Sequence, residues 1–325
     1  MKAVYAAGSP PGKGREMRSE STTFDRARWE KCGPPVRRYL RPMVEVITAE
    51  QWRAARAAVA DSGDRFAELV RSVAPDAMAT RDWTVADTAA HVDAIALWDT
   101  TLGRTDDIPA PWNTLQDEIQ ATGVDTVHRL NDHTMAGLAE RDTRVLAEQV
   151  RAHVDELLRA SADLDPDLPV GWLGGSRVPV AGLLAHLTNE FQIHGRDIAR
   201  ATGSRWDQSQ EYAAQFMELF VLGMTRHGIG RLLHHDGPPN QRRVAVEFRS
   251  RYTTPATLVL DHERVTVGRP GDPVDVRIGF EPVAFNLMMF GRMGKPRAAL
   301  TGKLRIGGPR PWLLPTFLRT VRFPS

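Results

Sequence analysis

The chain has 325 residues, 42% hydrophobic and 25% charged, a balance that suits a globular protein with a sizeable core. A formal net charge of +2 gives no electrostatic basis for a nucleic-acid partner, and no apolar run of about 18 residues exists to span a membrane. Only five of the 42 basic residues are lysine, a bias that points to a GC-rich coding sequence rather than to a binding function.

Residues 1–42 carry Gly8-Ser9-Pro10-Pro11-Gly12, Gly33-Pro34-Pro35 and scattered arginines without apolar periodicity, so a disordered tail or upstream extension is expected there. The segment lacks the apolar stretch of a secretory signal. Its Cys32 is the chain's single cysteine, cannot form an internal disulfide, and fits a reducing cytoplasm. Thiol chemistry in this protein would therefore need a thiol from outside.

Helical signals begin at Thr48, where Gln51 three residues on completes a capping box, and Trp52, Ala55, Val59, Phe66, Leu69 and Val70 follow at helical spacing. A second helix is expected from Thr84, with Asp87 as the capping acid, through His91 and Trp98. Leu115–Leu138 and Thr143–Leu164 each read as one helix. Asp165-Pro166 and Gly174-Gly175 break the chain, Val178–Ala201 forms a helix closed by Gly203, and Ser209–His227 forms the last of this set. Gly237-Pro238-Pro239 reads as a linker. Beyond it, Val244–Phe248, Ala256–Leu260, Arg264–Val267 and Val274–Ile278 alternate as antiparallel strands. A helix over Phe280–Gly291, a strand over Gly302–Ile306 and a short helix over Trp312–Thr320 complete the reading.

Glu190 and His194 stand four apart on the Val178–Ala201 helix, about 40° apart around its axis, so both can reach one metal ion. His91, in the middle of another helix, can supply a third ligand from across a bundle. Such a set suits zinc with a fourth position left for substrate, and also iron, nickel or manganese. The spacing alone leaves an alternative: His186, four residues before Glu190 on the same face, forms an equivalent pair with it. Asp197 is placed to orient the His194 imidazole.

Trp83-Thr84-Val85-Ala86-Asp87-Thr88-Ala89-Ala90-His91 resembles a stretch of the DinB-like, mycothiol-dependent maleylpyruvate isomerase family, and Glu190-Phe191-Gln192-Ile193-His194-Gly195-Arg196-Asp197-Ile198-Ala199-Arg200-Ala201-Thr202-Gly203 resembles a second one. Phe290-Gly291-Arg292 and Gly302–Gly308 are similar to the sterol-carrier-protein-like domain that often follows. The resemblance implies an α+β fold: a DinB-like metal-binding four-helix bundle over 43–233, then a small α/β sterol-carrier-protein-like domain over 240–325. It also implies His91, Glu190 and His194 as metal ligands, a divalent metal (zinc foremost), and mycothiol, the low-molecular-weight thiol of actinobacteria, as cofactor. Arg196 stands where the family has tryptophan. With Asp197, it is the expected border of the cofactor or substrate pocket.

A thiol is mostly protonated at neutral pH, and a divalent cation deprotonates it. The expected function is a metal- and mycothiol-dependent enzyme whose metal-bound thiolate attacks an electrophilic small molecule, of S-transferase type, in the cytoplasm. The alternative is maleylpyruvate cis–trans isomerisation, which would need cations for two carboxylates; Arg104, Arg129, Arg196 and Arg226 are available without an assigned role. A third reading is a non-catalytic, metal-stabilised binding protein with a pocket lined by Leu287, Met288, Met289, Phe290, Trp312, Leu313 and Leu314.

Overall fold

The computed structural model describes residues 47–322 apart from 105, 107, 236 and 239; the segment read as a tail over 1–42, with Cys32, lies outside them. Helix α1 (Ala49–Ser72) starts on the expected capping box. Gln51 N–H donates to Thr48 Oγ1 at 3.2 Å and Thr48 N–H donates to Gln51 Oε1 at 3.0 Å, together worth about 1 kcal/mol. Helix α2 (Val85–Thr100) repeats the device with Thr84 and Asp87.

The helix expected over Leu115–Leu138 is two: α3 (Gln116–Ala121) and α4 (Val127–Ala136). The chain turns between them because Val124 N–H donates to Leu232 O at 2.9 Å, a tertiary bond that an uninterrupted helix could not make. Helix α5 (Thr143–Ala160) stops at Ser161, which caps it by bonding back to Leu157. A small antiparallel pair, β1 (Pro169–Gly171) and β2 (Arg177–Pro179), then leads into α6 (Val180–Thr202). Gly203 ends α6 at φ 70°, the left-handed cap that glycine adopts without strain.

Four helices, α1, α2, α5 and α6, form the bundle. The buried stripe Ala55, Val59, Phe66 and Val70 of α1 faces inward, and the Phe66 and Phe191 rings meet at 5.4 Å. Almost all of α6 is buried, Asn189, Glu190, Gln192, His194 and Asp197 included. A helix apolar on every side belongs in a core; polar groups at such positions are costly unless they are used.

The following run is continuous but not uniformly α-helical: α7 (Gln210–Gln215), a π-helical segment Phe216–Val221, and α8 (Leu222–His227). The second part is a five-stranded sheet in the order β5-β4-β3-β6-β7, built from β3 (Val244–Ser250), β4 (Thr253–Asp261), β5 (Arg264–Val267), β6 (Val276–Phe280) and β7 (Leu304–Gly307). One expectation fails here: β3 and β6 run parallel, with Phe248 opposite Ile278. Hairpins place β4 and β5 on one side of β3, so the chain must cross over to reach its other edge, which makes that pair parallel.

Helices α9 (Pro282–Met289), α10 (Lys295–Leu300) and α11 (Leu314–Thr320) complete the fold. The result is an α+β protein, a helical bundle followed by a sheet. The two parts meet where α9 packs on α7 and β5 on α8. Asn286 of α9 donates from Nδ2 to Asn189 Oδ1 at 2.9 Å and to Ala213 O at 3.0 Å, so a buried amide pins the sheet part to the middle of α6.

Candidate metal centre and cavity

His91 is placed by the start of its own helix. Asp87 accepts from Thr84 N–H at 3.1 Å and from Arg141 Nε at 2.8 Å, so one carboxylate caps α2 and ties it to the segment before α5. Burial pushes the Asp87 carboxyl upward, but the hydrogen bonds from Thr84 and Arg141 outweigh it and hold the group below the usual 3.8. One turn on, His91 points inward with the Trp83 ring 4.6 Å away. The Trp83–His91 stretch thus has a physical logic: indole wall, helix cap, candidate ligand.

From α6, Glu190 and His194 approach the same point. One nitrogen or oxygen from each of His91, Glu190 and His194 lies within 4.8 Å of the others, and all three residues are buried. His194 Nε2 stands 3.3 Å from Glu190 Oε2, and the His91 and His194 rings meet edge to face at 5.2 Å. Burial, with the neighbouring His194, drives the His91 pKa down to about 3, which leaves a neutral imidazole with a free lone pair. For Glu190, burial acts upward, but the hydrogen bond from His194 and the charges of His186, His194 and His91 prevail and pull it to about 2. Two imidazoles and a carboxylate converging on one point are a donor set that fits a divalent cation.

His186 also reaches Glu190, at 3.5 Å from Oε1. It belongs to the wall rather than to the cluster: its ring stacks on Phe220 at 4.9 Å and meets Trp172 edge-on at 5.1 Å. Asp197 lies 3.8 Å from the other nitrogen of His194 and accepts from Arg292 Nε and NH2 at 3.0 and 2.9 Å. The Arg196 guanidinium is 3.8 Å from Asp197, and its buried NH1 has no hydrogen-bond partner among the described residues. Arg196 does not line the cavity that borders the cluster; burial, together with the charges of Arg200, Arg292 and Arg297, lowers its pKa against the pull of Asp197.

That cavity, about 740 Å³, opens onto the cluster and extends along α2. Its walls are mainly aromatic and aliphatic, and the π-helical segment contributes Phe216, Phe220 and Val221. Such segments recur at functional sites because they re-aim side chains without ending the helix. None of Arg104, Arg129, Arg196 or Arg226 lines it; Arg81, Arg292 and Arg322 do. Of the apolar residues considered for a separate pocket in the sheet part, only Phe290 reaches this cavity, while Leu287, Leu313 and Leu314 are core and Trp312 is 67% exposed.

Sequence reasoning also passed over Asp99, 1% exposed in the cavity wall, with neither carboxylate oxygen hydrogen-bonded among the described residues. Burial and the Glu190 charge raise its pKa well above the carboxylate range. Its place on α2, eight residues after His91, was the available signal.

Residues 50–199 match the family model of the mycothiol maleylpyruvate isomerase N-terminal domain. A crystal structure of the mycothiol-dependent maleylpyruvate isomerase aligns over 76% of this chain and 90% of its own, at 14% identity and a TM-score of 0.41. A histidine-to-alanine mutant of such an isomerase aligns over 79% and 92%, at 15% identity and a TM-score of 0.42. No curated protein matches the chain. Among the described residues, no helix is long and apolar enough to cross a membrane. The helical part of the chain, over residues 50–199, is thus similar to the mycothiol maleylpyruvate isomerase N-terminal domain.

Proposed function

We propose that the chain is a metal-assisted, mycothiol-dependent isomerase acting on a maleylpyruvate-like compound, an electrophilic cis alkene bearing carboxylates. This replaces S-transfer as the leading reading. What supports it is the family match together with the position of the His91–Glu190–His194 cluster in a cavity that also presents Arg81, Arg292 and Arg322. Isomerisation of a dicarboxylate needs cations beside the thiol site; Arg292, whose charge acts on His91, is such a group, while Arg81 and Arg322 line the same cavity. A cytoplasmic setting, where small thiols stay reduced, fits the single cysteine.

His91, Glu190 and His194 would hold the cation, with zinc the proposed occupant. When bound there, a divalent cation lowers the pKa of a thiol so that it is a nucleophile at neutral pH. Glu190 would supply the negative charge that imidazole ligands do not carry. Asp197 fixes the Arg292 guanidinium over the cluster and faces the outer nitrogen of His194. The Trp83, Trp172 and Phe220 rings exclude water, which strengthens every charge interaction inside.

Isomerisation and S-transfer begin alike, with sulfur bonding to an electrophilic carbon, and part on whether that bond breaks again. Incubation with mycothiol and maleylpyruvate, followed by NMR, separates them. Fumarylpyruvate with the thiol recovered is the expected result. An accumulating thioether would favour transfer, and turnover equal without any thiol would remove the mechanism.

A further inference from the structure

The face of α6 that carries Glu190 and His194 runs on past Asp197 to Arg200 and Ala201, which open on a second pocket. This pocket lies between the end of α6 and the segments 78–81 and 290–292. It shares Thr80, Arg81, Phe290 and Arg292 with the main cavity, so the two are neighbours across one wall. Ala201 stands seven residues after His194, two turns along the helix, a rise of about 10 Å.

The pocket is basic. Arg81, Arg200 and Arg292 line it, and among the described residues Asp197 is the one acid in its wall. That carboxylate is already engaged: it accepts from Arg292 Nε and NH2 at 3.0 and 2.9 Å and lies 3.8 Å from the Arg196 guanidinium. The remaining Arg292 nitrogen, NH1, donates to Phe290 O at 2.6 Å. Arg81 and Arg200 are different, because neither side chain makes a hydrogen bond among the described residues. The acid nearest Arg81 is Asp82, at 4.0 Å, and both are almost fully exposed, so their attraction adds little.

More positive charge stands behind the wall. Burial, then the charges of Arg200, Arg292 and Arg297, lower the Arg196 pKa against the pull of Asp197, so these guanidinium groups act on one another. An arginine in the last turn of a helix favours the dipole, which accounts for Arg200 taken alone. It does not account for Arg81 and Arg292, which other segments bring to the same spot. Like charges gathered around one engaged carboxylate repel, and an anion among them relieves that repulsion.

We propose that this second pocket is an oxyanion site, in which the guanidinium forks of Arg81 and Arg200 hold a carboxylate or phosphate group while Arg292 and Arg196 add positive charge around it. Planar forks with free donors match either group. The shared wall lets one molecule keep its reacting carbon at the metal cluster and its anionic end in this pocket. That link to the substrate rests on the isomerase reading above; the anion site does not.

The test starts with the metal-free full chain at low ionic strength, titrated calorimetrically with inorganic phosphate and with fumarate. Arg81→Gln and Arg200→Gln are compared with Arg205→Gln, an exposed arginine paired with Asp207 outside the pocket. Arg81 and Arg200 are exposed, so neither exchange disturbs the core. Each is expected to weaken both anions about tenfold, with Arg205→Gln unchanged. Wild type that binds neither anion would overturn the site, as would wild-type affinity in both pocket variants. An equal loss in Arg205→Gln would overturn it too, because it marks diffuse surface charge. The source of the anion is read from turnover of the zinc-loaded chain with mycothiol and maleylpyruvate. Competitive inhibition by phosphate that weakens in Arg200→Gln, with KM raised and kcat unchanged there, supports the substrate's own carboxylate as the occupant. Phosphate that binds without inhibiting would overturn that link and support a separate anion. No turnover at all would overturn the isomerase reading, while the titrations still decide the site.

Discussion

Gly195, beside the proposed ligand His194, has no room for a side chain. A methyl group added there would lie 2.3 Å from the Trp206 ring, against ordinary contacts of 3.4–4 Å. The indole cannot easily withdraw. Its Nε1 donates to Gln192 O at 3.2 Å, and the Arg65 guanidinium lies 4.9 Å from its centre. Gly195→Ala sets two effects against each other. Alanine gains about 1 kcal/mol in helix propensity over glycine. Displacing Trp206 by about 1 Å costs the hydrogen bond, about 1 kcal/mol, and overpacking adds about 1–3 kcal/mol more. The net expectation is a destabilisation of about 1–3 kcal/mol, read from urea unfolding of the full chain. In Trp206→Ala the same substitution should be neutral or stabilising, because only propensity remains. Gly195→Ala as stable as wild type in the Trp206 background would refute the reasoning.

Three further outcomes follow from the same contacts. Asp87→Asn weakens the α2 cap and frees Arg141, so the urea midpoint at pH 7 should fall by the equivalent of about 1–2 kcal/mol. Because the folded Asp87 pKa lies below 3.8, its contribution is present above that value and is lost as pH falls through the folded one; the variant should therefore show a shallower loss of stability below pH 3.8 than wild type. Asp197→Asn unpairs Arg292 and changes the group facing His194, so zinc affinity in chelator competition should drop about 10–100-fold. Arg292→Leu should raise the KM for a dicarboxylate substrate while leaving zinc content intact; loss of zinc instead would place Arg292 in the support of the metal.

Much of this architecture can be read from local chemistry. The capping boxes at Thr48 and Thr84 mark the starts of α1 and α2, and Gly203 marks the end of α6, because each depends on residues within one turn. Glu190 and His194 were legible as a pair because helix geometry fixes their separation. His91 was harder, since nothing local links α2 to α6; spacing left His186 an equal partner for Glu190, the resemblance favoured His194, and in the structure His186 packs against Trp172 and Phe220.

The features missed are those that arise from distant segments. The break between α3 and α4 depends on Leu232, about a hundred residues away, and the parallel β3–β6 pair depends on which sheet edge the chain returns to. Arg292 reaches the cavity only because α9 docks on α7, and Asp99 is unusual only once its surroundings prove to hold no partner. Periodicity reports a residue's own element; it carries no information about what faces it.

The claim on which the account stands is that His91, Glu190 and His194 hold a metal ion. Elemental analysis of the purified full chain, zinc-loaded and dialysed, tests it against His91→Ala and His194→Ala, with the folded state of each checked by circular dichroism. The account predicts about one zinc per wild-type chain and almost none in either folded variant. Equal zinc in all three proteins would contradict it.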